Sequence, residues 1–235
     1  MTISFPELPT RAVTPVARRA AFATAPLTSR QRPFGLYRHV LKRAIDIAAV
    51  VLAAPVIVPV VGALAIAVAR DGGSPFYTQE RVGKDGRIFR MWKLRSMVRD
   101  ADAQMRHLLA TDPLAKAEWD ATQKLRNDPR ITPLGQFLRR SSLDEIPQLW
   151  NVLIGDMSLV GPRPMMVNQQ MLYPGTAYYL VRPGITGYWQ TAGRNRTTFQ
   201  ARAEYDTIYE EAVAFSTDMR LLARTVRVVL HGTGY

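Results

Sequence analysis

The sequence has no cysteine in 235 residues, which excludes disulfides, thiolate metal centres and cysteine nucleophiles. Histidine is nearly as scarce. His39, His107 and His231 lie far apart without ligand spacing, so a histidine-held metal is not expected. The patterns GxxxxGK, GxGxxG and GxSxG are all absent, which removes the common nucleotide cradles and the serine-elbow hydrolases. Acidic residues are the minority charge, 19 against 31 Lys and Arg, leaving a net charge of +12. The expected partner is therefore anionic: nucleic acid, phospholipid head groups or a phosphorylated substrate.

What is present is uneven. From Ile47 to Ala69 the chain runs 23 residues without a charge. A straight helix of that length measures about 35 Å and would cross a hydrocarbon core. Two features argue against a crossing. Residues 1–43 carry eight basic groups and one acid, and residues 70–99 carry eight basic groups and three acids, so both flanks read as cytoplasmic. Pro55 and Pro59 stand inside the run, which predicts a bend near Ala54-Pro55. A helix that enters one leaflet, turns and leaves on the same side satisfies both features. Asp46, at the start of the run, is expected to pair with Lys42 or Arg43 at head-group level.

Residues 1–35 hold five prolines and no helical period, and read as a disordered basic tail. After the apolar run, 75–79 and 87–92 flank Gly83-Lys84-Asp85-Gly86 as a hairpin. Helices are predicted at 99–110 and 114–125, divided at Asp112-Pro113. Thr132-Pro133 opens another helix toward Arg140, and a further one is expected from about Asp144 to Ile154, stopping at Gly155. Near the end, 217–231 alternates arginine with aliphatic residues. It reads either as a helix lying on an anionic bilayer or as a surface helix facing a core.

Candidate chemistry concentrates in Ser141-Ser142-Leu143-Asp144-Glu145-Ile146-Pro147. Pro147 is tolerated in a first helical turn, which places Asp144 near an N-cap and Glu145 just inside. Acids there can simply cap a helix. Arg139 and Arg140 before them and Gly161-Pro162-Arg163-Pro164 after them add guanidinium groups suited to phosphate. A carboxylate in such company can ligate Mg²⁺ beside substrate phosphates or attack phosphorus to form an acyl phosphate.

Lys42-Arg43-Ala44-Ile45-Asp46, Gln79 to Gly83, Lys93 to Met97, Arg139 to Asn151, Gly155 to Ser158, Gly161 to Pro164 and Arg182 to Gly187 stand in this order. Over about residues 38–200 the set resembles the bacterial sugar transferases, the monotopic phosphoglycosyl transferases, in their exopolysaccharide-initiating branch. The resemblance implies an α+β, mainly helical monotopic protein: a basic tail (1–35), a re-entrant membrane helix (36–70) and a small cytoplasmic catalytic domain (71–235) with interfacial amphipathic helices. It also implies transfer of galactose- or glucose-1-phosphate from a UDP-sugar to undecaprenyl phosphate, with release of UMP, at the cytoplasmic face of the bacterial inner membrane. By the same resemblance Asp144 is the nucleophile and Glu145 its partner in a Mg²⁺ site. Arg139 and Arg163 match phosphate-binding arginines, and Lys93, Arg95, Asp156, Arg182 and Arg194 are active-site candidates. The family breaks its membrane helix at a Ser-Pro pair, and this chain has Ala54-Pro55 there. Anionic inner-leaflet lipids are expected partners, nucleic acid is not, and self-association stays open. Two rivals remain: a basic nucleic-acid binder, and a non-catalytic membrane scaffold of a polysaccharide-synthesis complex.

Overall fold

The computed structural model describes residues 35–122, 125–193 and 199–230. The expected tail and Arg194 fall outside them, apart from Gly35. The long helix α1 (Lys42–Ala69) follows a wide helical turn at Tyr37–Leu41. Its span continues through Pro55 and Pro59, so the bend expected at Ala54-Pro55 does not end the helix. A proline removes one intrahelical bond, and the remaining bonds carry the helix past it.

Both ends of α1 dock on the same body. Near the N-terminus, Val50 packs with Phe89, Met91, Val152 and Met157. Asp46 accepts a hydrogen bond from the Leu159 amide at 3.2 Å, and Arg43 donates to the carbonyls of Val152 and Leu153. Near the C-terminus, Ala65 and Val68 pack with Leu94 and Leu138. The middle of the helix presents bare aliphatic side chains, with Leu52 at 79% and Val56 at 70% exposure.

The hairpin forms where the alternation and the polar turn place it. β1 (Phe76–Val82) pairs antiparallel with β2 (Ile88–Leu94), from Phe76 opposite Leu94 to Val82 opposite Ile88. A two-stranded ribbon leaves two edges of unpaired backbone groups, and other segments cover both. Along β1, the Val82 amide donates to the Met165 carbonyl at 3.0 Å, and Arg81 bridges to Met166. Along β2, the fully buried Asn151 side chain accepts from the Trp92 amide at 3.0 Å and donates to the Arg90 carbonyl at 2.7 Å. A side-chain amide carries both a donor and an acceptor, so it satisfies a strand edge as a backbone unit would.

α2 (Ala101–Thr111) and α3 (Pro113–Thr122) divide at Asp112, as read from Asp112-Pro113. α4 (Pro133–Arg140) opens with Thr132 Oγ1 accepting from the Gly135 amide at 2.9 Å. The helix expected from Asp144 is shorter. α5 covers Gln148–Ile154, with Pro147 at its N-cap and Gly155 closing it at φ +97°. A glycine without a Cβ takes that left-handed position without strain.

Two glycine motifs meet in a small parallel pair, β3 (Ser158–Val160) and β4 (Gly184–Thr186). The Gly161 amide donates to Thr186 and the Gly184 amide to Pro162, both at 2.8 Å. A Cβ on Gly161 would sit 2.3 Å from the Arg182 carbonyl, and one on Gly184 would sit 2.0 Å from the Gly161 nitrogen. Only glycine allows this approach. α6 (Arg202–Glu211) and α7 (Phe215–Leu230) complete the body. Leu221 of α7 is buried with Val160, Val181 and Tyr209, so its apolar face serves the protein core there, the second of the two readings left open for 217–231.

Candidate active site

The site grows from the corner between α4 and α5. Ser142 adopts a left-handed conformation (φ 57°, ψ 19°) after the last turn of α4. A non-glycine residue there is strained, and such strain persists where surrounding structure fixes it. The turn leads into one 3₁₀ turn, Leu143–Glu145. Leu143 packs against the cluster of Ala65, Val68, Leu94 and Leu138. Asp144 and Glu145 therefore stand on a separate turn that precedes α5. This corrects the placement at an N-cap: the sequence could not show that Ser142 would reverse the chain.

β2 supplies the cation. Lys93 Nζ lies 2.8 Å from Glu145 Oε1 and 3.8 Å from Asp144 Oδ2. Arg163 approaches Glu145 Oε1 from another side at 3.8 Å. Asn151 holds the β2 edge at Trp92, one residue from Lys93, and so fixes where the ammonium stands. Arg139 donates from Nε to Ser96 Oγ at 2.8 Å, just beyond the end of β2, and its charge bears on Asp144.

The two adjacent carboxylates are displaced in opposite directions. Burial pushes the Asp144 carboxyl above its ordinary value, opposed by Lys93 and Arg139 and reinforced by Glu145. Burial acts on Glu145 as well, but Lys93, Arg163 and Arg81 outweigh it and hold that carboxyl at about 2. Asp144 is buried, with 8% exposure, and no other side chain donates a hydrogen bond to it among the described residues. Its nearest cation is an ammonium beyond hydrogen-bond distance. That leaves its oxygens available to an incoming electrophile.

Arg81 belongs to the site although only the motif around it was noted. Its Nη1 donates to the Pro164 carbonyl at 3.1 Å and its Nη2 to Gln79 at 2.6 Å. Burial and the neighbouring Arg163 lower its pKa to about 10. With Glu145, Gln148, Arg163 and Gly184 it lines a small cleft of about 10 Å³. Arg202 donates to the Arg163 carbonyl at 2.6 Å and stacks on Trp189 at 5.1 Å, while Arg163 lies over the same ring at 5.9 Å. No spacing in the sequence joins residues 163 and 202.

Three candidates stand elsewhere. Arg95 latches the end of α1: it meets Asp71 at 2.5 Å and also donates to the carbonyls of Val68, Ser74 and Met97. Arg182 donates to the Gly155 carbonyl at 2.9 Å, and Asp156 accepts from Asn151 at 3.2 Å, both at the C-terminal end of α5. None of the three forms an ion pair or hydrogen bond with Asp144 or Glu145. Charge and motif membership marked them, but neither carries direction.

Residues 37–232 match the family model described as bacterial sugar transferase. The chain is 44% identical over 196 residues to a UDP-galactose-lipid carrier transferase of Erwinia amylovora, covering 83% of this chain and 41% of that protein. It shows the same identity and coverage toward an undecaprenyl-phosphate galactose phosphotransferase of Salmonella typhimurium. It is 37% identical over 210 residues to the exopolysaccharide production protein ExoY of Rhizobium meliloti, covering 88% of this chain and 92% of that one. The chain thus spans about two fifths of the length of the first two relatives and nearly all of the third. With the match running over most of its length, the chain belongs to the bacterial sugar transferase family.

Proposed function

We propose that the protein transfers a hexose-1-phosphate, galactose- or glucose-1-phosphate, from a UDP-sugar to undecaprenyl phosphate. This would be the first membrane step of exopolysaccharide synthesis. The observation that carries the chemistry is Asp144: buried, 3.8 Å from Lys93, within the field of Arg139, and without a hydrogen bond from another side chain. An Asp144 oxygen attacks the phosphorus bearing the sugar. The bond from that phosphorus to the bridging oxygen breaks, and UMP leaves with the electron pair. Asp144 then carries the phosphosugar as an acyl phosphate. A phosphate oxygen of the lipid attacks the same phosphorus and releases the carboxylate. Arg163 and Arg81 bind the donor's phosphates, and Lys93 balances the carboxylates.

The donor set also fits a Mg²⁺ that arrives with substrate. Asp144 and Glu145 are adjacent carboxylates beside the Lys93 ammonium, and among the described residues no third acidic or histidine ligand joins them, so an ion would take two protein ligands there. Mg²⁺ commonly takes one or two carboxylates and completes its shell with phosphate and water. Bound there, the ion would neutralise the diphosphate charge that repels a carboxylate.

α1 is long and apolar enough to cross a membrane, yet its two ends contact one body. A straight helix of 28 residues separates its ends by about 42 Å. Both ends on one body support a re-entrant anchor at the cytoplasmic face of the inner membrane, which sets the site where a soluble nucleotide meets a lipid phosphate. The cysteine-free sequence allows a clean test. Single cysteines at Leu36 and Ser74 should react with an impermeant reagent from the same side, and labelling from opposite sides rejects the anchor.

The chemistry is tested by incubating the protein with UDP-galactose or UDP-glucose alone. UMP should appear in stoichiometric amount, with a hexose-phosphate adduct on the Asp144 peptide by mass spectrometry. Turnover without an adduct rejects the two-step route.

A further inference from the structure

Arg202 is a buried arginine that the chemistry above leaves without a role. It stands at 6% exposure and forms no ion pair with a carboxylate among the described residues. A guanidinium taken out of water without such a partner is costly. Its donors and its flat face go elsewhere. Nη2 donates to the Arg163 carbonyl at 2.6 Å, and Nε has no partner. The guanidinium lies 5.1 Å from the centre of the Trp189 ring and 5.1 Å from that of Phe199, within the range of cation–π attraction.

What Arg202 grips is the backbone that carries Arg163. Pro162 and Pro164 flank that residue, and a proline offers only its carbonyl to be held by. Each of the three carbonyls accepts one hydrogen bond from a distant element. Pro162 takes the Gly184 amide at 2.8 Å, Arg163 takes Arg202 Nη2 at 2.6 Å, and Pro164 takes Arg81 Nη1 at 3.1 Å. The Arg163 side chain is 40% exposed and reaches Glu145 only at 3.8 Å. Its guanidinium lies 5.9 Å from the centre of the Trp189 ring, the ring on which Arg202 also rests. Arg202 and Trp189 therefore touch both the main chain and the side chain of Arg163.

We propose that Arg202, with Trp189 as its platform, is the positioning residue of Arg163, holding that guanidinium ready for a phosphate of the nucleotide donor. The inference rests on the phosphosugar transfer proposed above, in which Arg163 meets the donor's phosphates. A long side chain loses rotamer freedom when it grips a ligand, and fixing it beforehand removes that cost. Arginine suits the position because its planar fork donates to a carbonyl while its face stacks on a ring, and a lysine ammonium offers neither fork nor face. Arg202 forms no ion pair or hydrogen bond with Asp144 or Glu145, so its influence passes through Arg163.

The test uses the full chain in nanodiscs holding undecaprenyl phosphate. UMP release by the wild type from UDP-galactose or UDP-glucose is measured first, and its absence overturns the transfer reading itself. The variants then bear on Arg202 alone. Arg202→Gln should raise KM for the UDP-sugar about tenfold, the scale of a lost charged hydrogen bond, with a smaller change in kcat. In an Arg163→Gln background the same change should add less than about twofold, because residues acting as one unit are not additive. Arg202→Lys should recover only part of the loss. Trp189→Leu, at a half-buried position, should reproduce the rise in KM, while Trp189→Phe keeps a ring and stays closer to wild type. Arginine effects that multiply in the double variant overturn the inference, because Arg202 then acts without Arg163. Full recovery in Arg202→Lys reduces the residue to a charge and overturns it too. A lowered thermal midpoint with KM unchanged marks a purely structural residue and has the same consequence. Where Arg202→Gln fails to fold, the Trp189 variants decide: a wild-type KM in Trp189→Leu rejects the positioning role.

Discussion

Asp144 and Asp218 are both buried aspartates with a lysine nearby, and their surroundings differ in what they offer the carboxylate. Asp218, at 2% exposure, receives Tyr37 Oη and Lys42 Nζ on one oxygen, both at 2.6 Å, and Tyr209 Oη on the other at 2.9 Å. These donors come from the turn before α1, from the first residue of α1 and from α6, so the carboxylate fastens the long helix to the body. Asp144, at 8% exposure, has Lys93 at 3.8 Å and no donated hydrogen bond from another side chain. The first carboxylate is satisfied and holds elements together. The second has cations that only partly offset its burial and is left open, which suits a nucleophile and adds little to stability. Asp206 stands between them, with the Tyr173 hydroxyl at 2.8 Å and Arg202 near enough to act on it.

Substitution separates the three. Asp144→Asn should lower turnover about 10⁴-fold or more, the scale seen when a nucleophile is removed. Its thermal midpoint should stay the same or rise, because a poorly compensated buried charge is gone. A stability loss with turnover retained would erase the distinction. Asp218→Ala should show the reverse. Stranding Lys42 without its partner costs about 3–5 kcal/mol, read as a lower thermal midpoint in detergent micelles. UMP release per folded molecule should change by no more than a few fold.

Asp206→Asn should give the smallest effect, visible as a pH dependence. Burial raises the Asp206 carboxyl to about 6, against the pull of Tyr173 and Arg202. The folded state therefore binds its proton more tightly than the unfolded chain does. Stability from this group is full below about 4, the unfolded value, and declines as pH rises through about 6. The wild-type thermal midpoint should fall across that window by more than that of Asp206→Asn, whose amide can still accept from Tyr173. Parallel curves for the two proteins would show that Asp206 is no more perturbed than an exposed acid.

Local patterns carried much of the fold. Alternation with a polar turn gave the 76–94 hairpin, Asp112-Pro113 divided two helices, and Thr132-Pro133 opened α4. Each depends on residues close in the chain. The carboxylate pair was also legible, because acids between arginines form a local cluster. Its geometry was not: the left-handed Ser142 moved Asp144 and Glu145 onto their own turn. Nor could Arg95 be told from Lys93, since two basic residues on neighbouring positions face different surroundings, one latching Asp71 and the other meeting Glu145.

Composition and order by themselves determined an apolar anchor, a basic surface, a cysteine-free chain and the types of side chain available for chemistry. Tertiary structure alone decided which of those side chains meet. Asp46 reaches Leu159 across 113 residues, Tyr37 reaches Asp218 across 181, and Arg202 reaches Arg163 across 39. The reason is physical. Helix and turn signals act over a few residues, whereas a buried charge takes its partner from whatever element packing brings beside it.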